Sequence, residues 1–245
     1  MGERQQALGR FTADLALSTF FTEIIHAQNF ARSREHIAQK KGSLLIYANH
    51  FHRLDPVAIA RTIKDNIAPL DENVSVVISM QYTDPNRAEN KQLVKAVKLL
   101  QQAYGFNLLS VVQDKQTEKD IYPKSRRINY DVFTKAVELL QTPGNIVCIY
   151  PEGTRSEVNA LLPAKNGLES ILKNAGDSVL VQPIALPHTR ISPLTMRTQI
   201  FVPEPFTYQE LLEEQGQNPQ FDITTLAMRR IAKELKPQNR GPYII

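Results

Sequence analysis

Along most of this chain, short apolar runs rich in β-branched residues alternate with stretches whose apolar residues recur at helical spacing, and this alternation limits the fold more than any other feature. Strands are expected at 43–48, 74–80, 106–112, 146–150, 179–186 and 197–202. Helices are expected after Asp55-Pro56, at 86–103, around Phe133, Ala136, Val137 and Leu140, at 165–174, at 206–214 and at 223–235. Strands alternating with helices imply an α/β fold. The expected form is a single layered domain with a mixed, largely parallel central sheet flanked by helices, which binds its ligands at the carboxyl ends of strands.

Two further segments carry expectations of their own. Residues 5–30 read as an N-terminal helix with Leu8, Phe11, Leu15, Leu17, Phe20, Phe21, Ile24 and Ile25 over a broad arc, either packed on the core or laid in a lipid interface. The polar stretch 113–127 is long for a loop in a compact domain and is a candidate lid. Neither a repeat nor a linker divides the 245 residues. One domain is expected, with a helical segment over 1–40, a motif-bearing core over 42–205 and closing helices over 206–245.

Composition narrows the class. With 42% hydrophobic and 22% charged residues the chain can fill a sizeable core, which excludes disordered and low-complexity classes. The lone Cys148 excludes an internal disulfide framework and a multi-cysteine zinc site. No apolar run approaches the roughly 18 residues of a spanning helix, and charges interrupt the first 30 residues, so neither an integral membrane protein nor a secretory signal is expected. The expected location is the cytosol or, peripherally, the cytosolic face of a membrane. The whole net charge of +4 resides in residues 81–130, where nine Lys plus Arg face five Asp plus Glu. Such a stretch suits an anionic acceptor or an anionic membrane surface; no basic stripe interleaved with aromatics argues for nucleic acid.

Chemistry concentrates in two polar motifs that each follow an apolar strand. In Asn49-His50-Phe51-His52-Arg53-Leu54-Asp55, an imidazole suited to take a proton near neutral pH precedes a carboxylate that would fix its tautomer. His50 and Asp55 form a candidate dyad, although Asp55 before Pro56 also suits a helix cap. A metal site on His50, His52 and Asp55 is disfavoured, because the histidines would point to opposite faces of a continuing strand. In Tyr150-Pro151-Glu152-Gly153-Thr154-Arg155-Ser156, Arg155 offers a planar fork for phosphate or carboxylate. Glu152 either accepts a hydroxyl proton or orients a neighbour, and Gly153 lets the backbone approach a ligand.

Asn-His-x-x-x-x-Asp followed about 100 residues later by Pro-Glu-Gly-Thr-Arg-Ser resembles the glycerolipid acyltransferase family, which includes 1-acylglycerol-3-phosphate and other lysophospholipid acyltransferases. The resemblance runs from about residue 42 to 205. It implies a histidine that deprotonates a glycerol hydroxyl, which attacks the thioester of an acyl-CoA or acyl-carrier protein with no covalent acyl-enzyme, cofactor or metal. On this resemblance His50 is the base and Asp55 its partner, while Glu152, Gly153, Thr154 and Arg155 hold the glycerol and phosphate end of the acceptor. Lys165 with Gly167 looks like the family's basic residue shortly before a glycine, and Val181-Gln182-Pro183-Ile184-Ala185 echoes a further apolar block. Two positions depart from the pattern. His52 stands where the family often has a small hydroxyl residue, and Gln113-Asp114 stands where a phosphate-holding arginine is expected, which leaves Lys124, Arg126 and Arg127 as the nearest substitutes. The competing function is a lipid-binding or membrane-adaptor protein that keeps the same fold without turnover.

Overall fold

The run Leu44-Leu45-Ile46-Tyr47-Ala48 is buried at every position, which is what a parallel strand covered on both faces requires. In the computed structural model, which describes residues 21–52, 55–69, 71, 73–84, 91–113, 124–187 and 197–244, this run lies at the centre of the sheet. The elements are β1 (Phe21–Ile25), α1 (Phe30–Ala38), β2 (Ser43–Ala48), α2 (Asp55–Asn66), β3 (Val74–Ser79), α3 (Lys91–Tyr104), β4 (Asn107–Val111) and α4 (Ser125–Leu140). There follow β5 (Ile146–Ile149), α5 (Gly167–Ala175), β6 (Val179–Ile184), β7 (Arg197–Phe201), β8 (Phe206–Thr207), α6 (Tyr208–Gln217) and α7 (Ile223–Glu234). The main sheet has the order β4-β3-β5-β2-β6-β8, parallel except for β8 against β6, and β1 pairs in parallel with β7 in a second, two-stranded sheet.

Strand alternation sorts the side chains into two cores. Leu45, Tyr47, Val147 and Ile149 pack with Ala136, Leu140, Leu168, Ile171 and Ile231 of α4, α5 and α7. On the other face Leu44, Ile46, Ile146 and Cys148 meet Phe30 of α1 and Ile59 and Ile63 of α2. Each fully buried aliphatic side chain contributes about 1.5–3 kcal/mol. Cys148 belongs to this packing, and burial pushes its thiol up to about 12.

The largest departure from the sequence expectation is at the N-terminus. Phe21–Ile25, expected inside a helix over 5–30, is a strand, and the first α-helix starts at Phe30. Thr22, Ile24 and Ile25 are β-branched and favour the extended backbone, and the strand they pair with lies far along the chain at Arg197–Phe201. Ile24 is partly buried against the core that holds Phe30, Leu44 and Ile46. Leu8, Phe11, Leu15, Leu17 and Phe20 lie outside the described residues.

Helix α4 begins at Ser125, inside the stretch expected to be a loop, while the candidate lid over 114–123 lies outside the described residues. The pair Phe206–Thr207, expected to start a helix, instead adds an edge strand, and a reciprocal Thr207–Glu210 capping box starts α6. Among the described residues no helix is long and apolar enough to cross a membrane.

Candidate active site

Strands β2 and β5 run side by side with Tyr47 opposite Ile149, so three residues later His50 and Glu152 leave the sheet at the same level. The two motifs then lock together through the main chain. The His50 amide donates to Glu152 Oε1 at 3.0 Å, and the Ser156 amide donates to the His50 carbonyl at 2.8 Å. On the other side, Asn49 and Leu186 exchange two hydrogen bonds of 2.8 and 2.7 Å, which pin the start of the His50 loop to the chain leaving β6.

One oxygen of Asp55 organises the loop between these ties. Asp55 Oδ2 meets His50 Nδ1 at 3.0 Å and accepts the amides of Phe51 and His52, each at 2.7 Å. The side chain therefore reaches back into the loop and not forward to cap α2. Two loop amides and an imidazole are a stronger set of donors than one helix amide. With an ionised carboxylate, which only accepts, at Nδ1, that nitrogen carries the hydrogen and the lone pair of the neutral ring sits on Nε2. Both side chains are mostly shielded, at 11% exposure for His50 and 9% for Asp55.

His50 lines a cleft together with Pro56, Val76, Ile78, Val111, Tyr150 and Thr154. The Tyr150 ring lies against the imidazole with centroids 4.7 Å apart and planes tilted by 33°. Its hydroxyl is buried with no hydrogen-bond partner among the described residues, and burial, then the nearby Asp55 charge, hold it well above the usual phenol range. Gln113, at the position expected to be arginine, also lines the cleft, and its Nε2 donates to the Gly153 carbonyl at 2.9 Å. Reciprocal bonds between Asn129 of α4 and the Val112 backbone hold the end of β4 that presents it.

The second motif divides into a scaffold and a surface. Glu152 is 1% exposed, and its other oxygen accepts the Leu162 amide at 2.8 Å, so both oxygens are held by backbone. Glu152 thus ties the backbone of His50 to that of Leu162. Burial pushes its carboxyl up to about 7, against the two amide bonds that lower it, and the Asp55 charge adds to the rise. Gly153, at φ +66°, carries the turn and lies under the stem of Lys165. Thr154 faces the cleft, and Arg155 is half-buried with no hydrogen-bond or ion-pair partner among the described residues. Lys124, Arg126 and Arg127, the substitutes for the missing arginine, are exposed at the start of α4, and none belongs to the lining of this cleft. Among the described residues no group of three or more His, Cys, Asp or Glu side chains is placed to hold a metal ion.

A protein-family model described as Acyltransferase matches residues 29–187, which take in α1 through β6 and both motif loops. The chain belongs to the acyltransferase family. Among solved structures, the 1-acyl-sn-glycerophosphate acyltransferase PlsC from Thermotoga maritima is similar, with 14% identity, a TM-score of 0.49, and coverage of 95% of this chain and 84% of that one. No curated protein sequence matches. In this acyltransferase Asn49 and Tyr150 also border the site, and their only sequence signal is that each directly follows an apolar strand and stands beside a motif residue. The contact of the C-terminal Tyr243 with the second motif has no local signal in the sequence.

Proposed function

We propose that this acyltransferase moves a fatty acyl chain from the thioester of acyl-CoA or acyl-carrier protein to the free hydroxyl of a lysophospholipid or glycerol phosphate. The observation that carries the reading is His50, bound through Nδ1 to buried Asp55 and lining a cleft. Nε2 takes the proton of the acceptor hydroxyl as its oxygen attacks the thioester carbonyl. The new C–O bond forms, the tetrahedral intermediate collapses, the C–S bond breaks, and the leaving thiolate takes the proton from Nε2. Asp55 stabilises the transient imidazolium. A cysteine acyl-enzyme plays no part, because Cys148 is buried in the sheet.

The remaining wall suits the rest of the substrates. Pro56, Val76, Val77, Ile78 and Val111 offer apolar surface to an acyl chain. Half-buried Arg155 is available to an acceptor phosphate, with Lys165 beside it over Gly153. Exposed Lys91, Lys95, Lys98 and Leu99 on α3 support peripheral binding to the cytosolic face of a membrane. Co-sedimentation with anionic vesicles tests that surface: changing the three lysines to Glu weakens binding, and unchanged binding removes α3 from the contact.

The activity is tested by incubating the protein with acyl-CoA or acyl-carrier protein and a panel of lysolipids, with products read by mass spectrometry. Ester formation with release of free thiol supports the reading. Lipid binding without turnover for every donor and acceptor would favour the membrane-adaptor alternative.

A further inference from the structure

The second motif loop is held from behind by the last residues of the chain. The Leu161 amide donates to the Asn239 carbonyl at 2.9 Å, and Asn239 Nδ2 donates to the Asn159 carbonyl. The buried Tyr243 hydroxyl accepts the Ala164 amide at 2.7 Å and donates to the Leu162 carbonyl at 3.4 Å. Gly241, at φ +54°, lies so close that a Cβ there would stand 1.9 Å from the Leu161 carbonyl oxygen, so only glycine lets the tail rest on the loop.

From Leu162 the ties continue inward. Its amide donates to Glu152 Oε2 at 2.8 Å, and Glu152 Oε1 holds the His50 amide at 3.0 Å. Glu152 is a buried carboxylate with one backbone donor on each oxygen, so loosening one donor leaves it underbonded and free to shift, and the other donor moves with it. The donor that moves is the main chain of His50. Tail and motif are thus mechanically continuous, although residues 237–243 lie beyond the stretch 29–187 that the family model matches.

We propose that Tyr243 is a positioning residue for His50, acting through the Leu162 amide and the Glu152 carboxylate. Its effect on turnover rests on the function proposed for His50; the coupling itself does not. The deciding variant is Tyr243→Phe in the full chain, which keeps the packed ring and removes only the hydroxyl. Asn239→Ala loosens the same loop through a different bond.

Hydrogen–deuterium exchange reads the coupling directly. In both variants the amides of Leu161, Leu162, Ala164 and Lys165 are expected to exchange about 3- to 10-fold faster, the scale of one neutral hydrogen bond, and the His50 amide is expected to follow. Thr207→Ala, which removes a helix cap on α6, leaves the His50 amide at its wild-type rate. With an acyl thioester donor, Tyr243→Phe lowers kcat by a similar factor and leaves the donor KM unchanged. Faster exchange confined to 161–165, or a wild-type kcat in a folded Tyr243→Phe protein, overturns the proposal. His50→Ala is run alongside: retained turnover there refutes the function proposed for His50 and leaves the exchange result to decide the coupling.

Discussion

Glu152 Oε1 accepts the main-chain amide of His50 at 3.0 Å, across 102 residues of sequence. The acid of the second motif is thus a splint for the first, while His50 and Thr154 line the cleft beside it. A buried carboxylate is expensive unless its oxygens are bonded, which is why two backbone amides are spent on it.

Glu152 leaves a signature in the pH dependence of stability. Its carboxyl is raised from an ordinary 4.5 to about 7, so between those values the folded protein holds a proton that the unfolded chain has released. Its contribution to stability therefore falls as pH rises from about 4.5 to about 7, by up to about 3 kcal/mol. Urea unfolding of the wild type and Glu152→Gln across this window should show their difference changing in that direction. A constant difference would contradict the placement.

Asp55→Asn removes the charge that three donors share at one oxygen. The amide is also a weaker partner for an imidazolium. A loss of roughly 10²-fold or more in kcat is expected, with a smaller change in acceptor KM and about 1–3 kcal/mol of lost stability in the loop. Steady-state kinetics with thiol detection would show it, and a kcat within a few-fold of wild type would separate Asp55 from the chemistry.

Tyr150→Phe removes a buried hydroxyl that has no partner among the described residues. Since an unmet buried polar group costs about 1–3 kcal/mol, the variant should melt no lower than the wild type, while the ring still covers His50. A clear drop in Tm would mean that the hydroxyl has a partner in solution.

Arg155→Ala should raise the KM of a phosphate-bearing acceptor by about 10-fold or more and leave the thioester donor little affected. Lysine lacks the two-pronged geometry, so Arg155→Lys should be impaired as well. Wild-type acceptor kinetics in both variants would remove Arg155 from the acceptor site.

The central layers were legible in the sequence because parallel strands covered on both faces are largely apolar, as Ser43–Ala48 and Val179–Ile184 are apart from Ser43 and Gln182, whose side chains are hydrogen-bonded. Pairing of His50 with Asp55 was legible because both lie within one loop. The Phe51 and His52 amides that share the same Asp55 oxygen were not, since backbone donors carry no residue signature. Strand β1 was missed because five residues cannot announce a partner at the far end of the chain. The sequence offered Glu152 an orienting role but not its partners, which are the amides of His50 and Leu162, because backbone donors carry no sequence signal.

Proton transfer from the acceptor hydroxyl to His50 Nε2 can be measured by single-turnover acyl transfer with His50→Ala, its fold checked by circular dichroism. General-base assistance typically contributes 10²- to 10⁴-fold, so the variant should lose at least about 10²-fold in rate at saturating donor and acceptor. A rate within a few-fold of wild type in the folded variant would show that His50 is not the base.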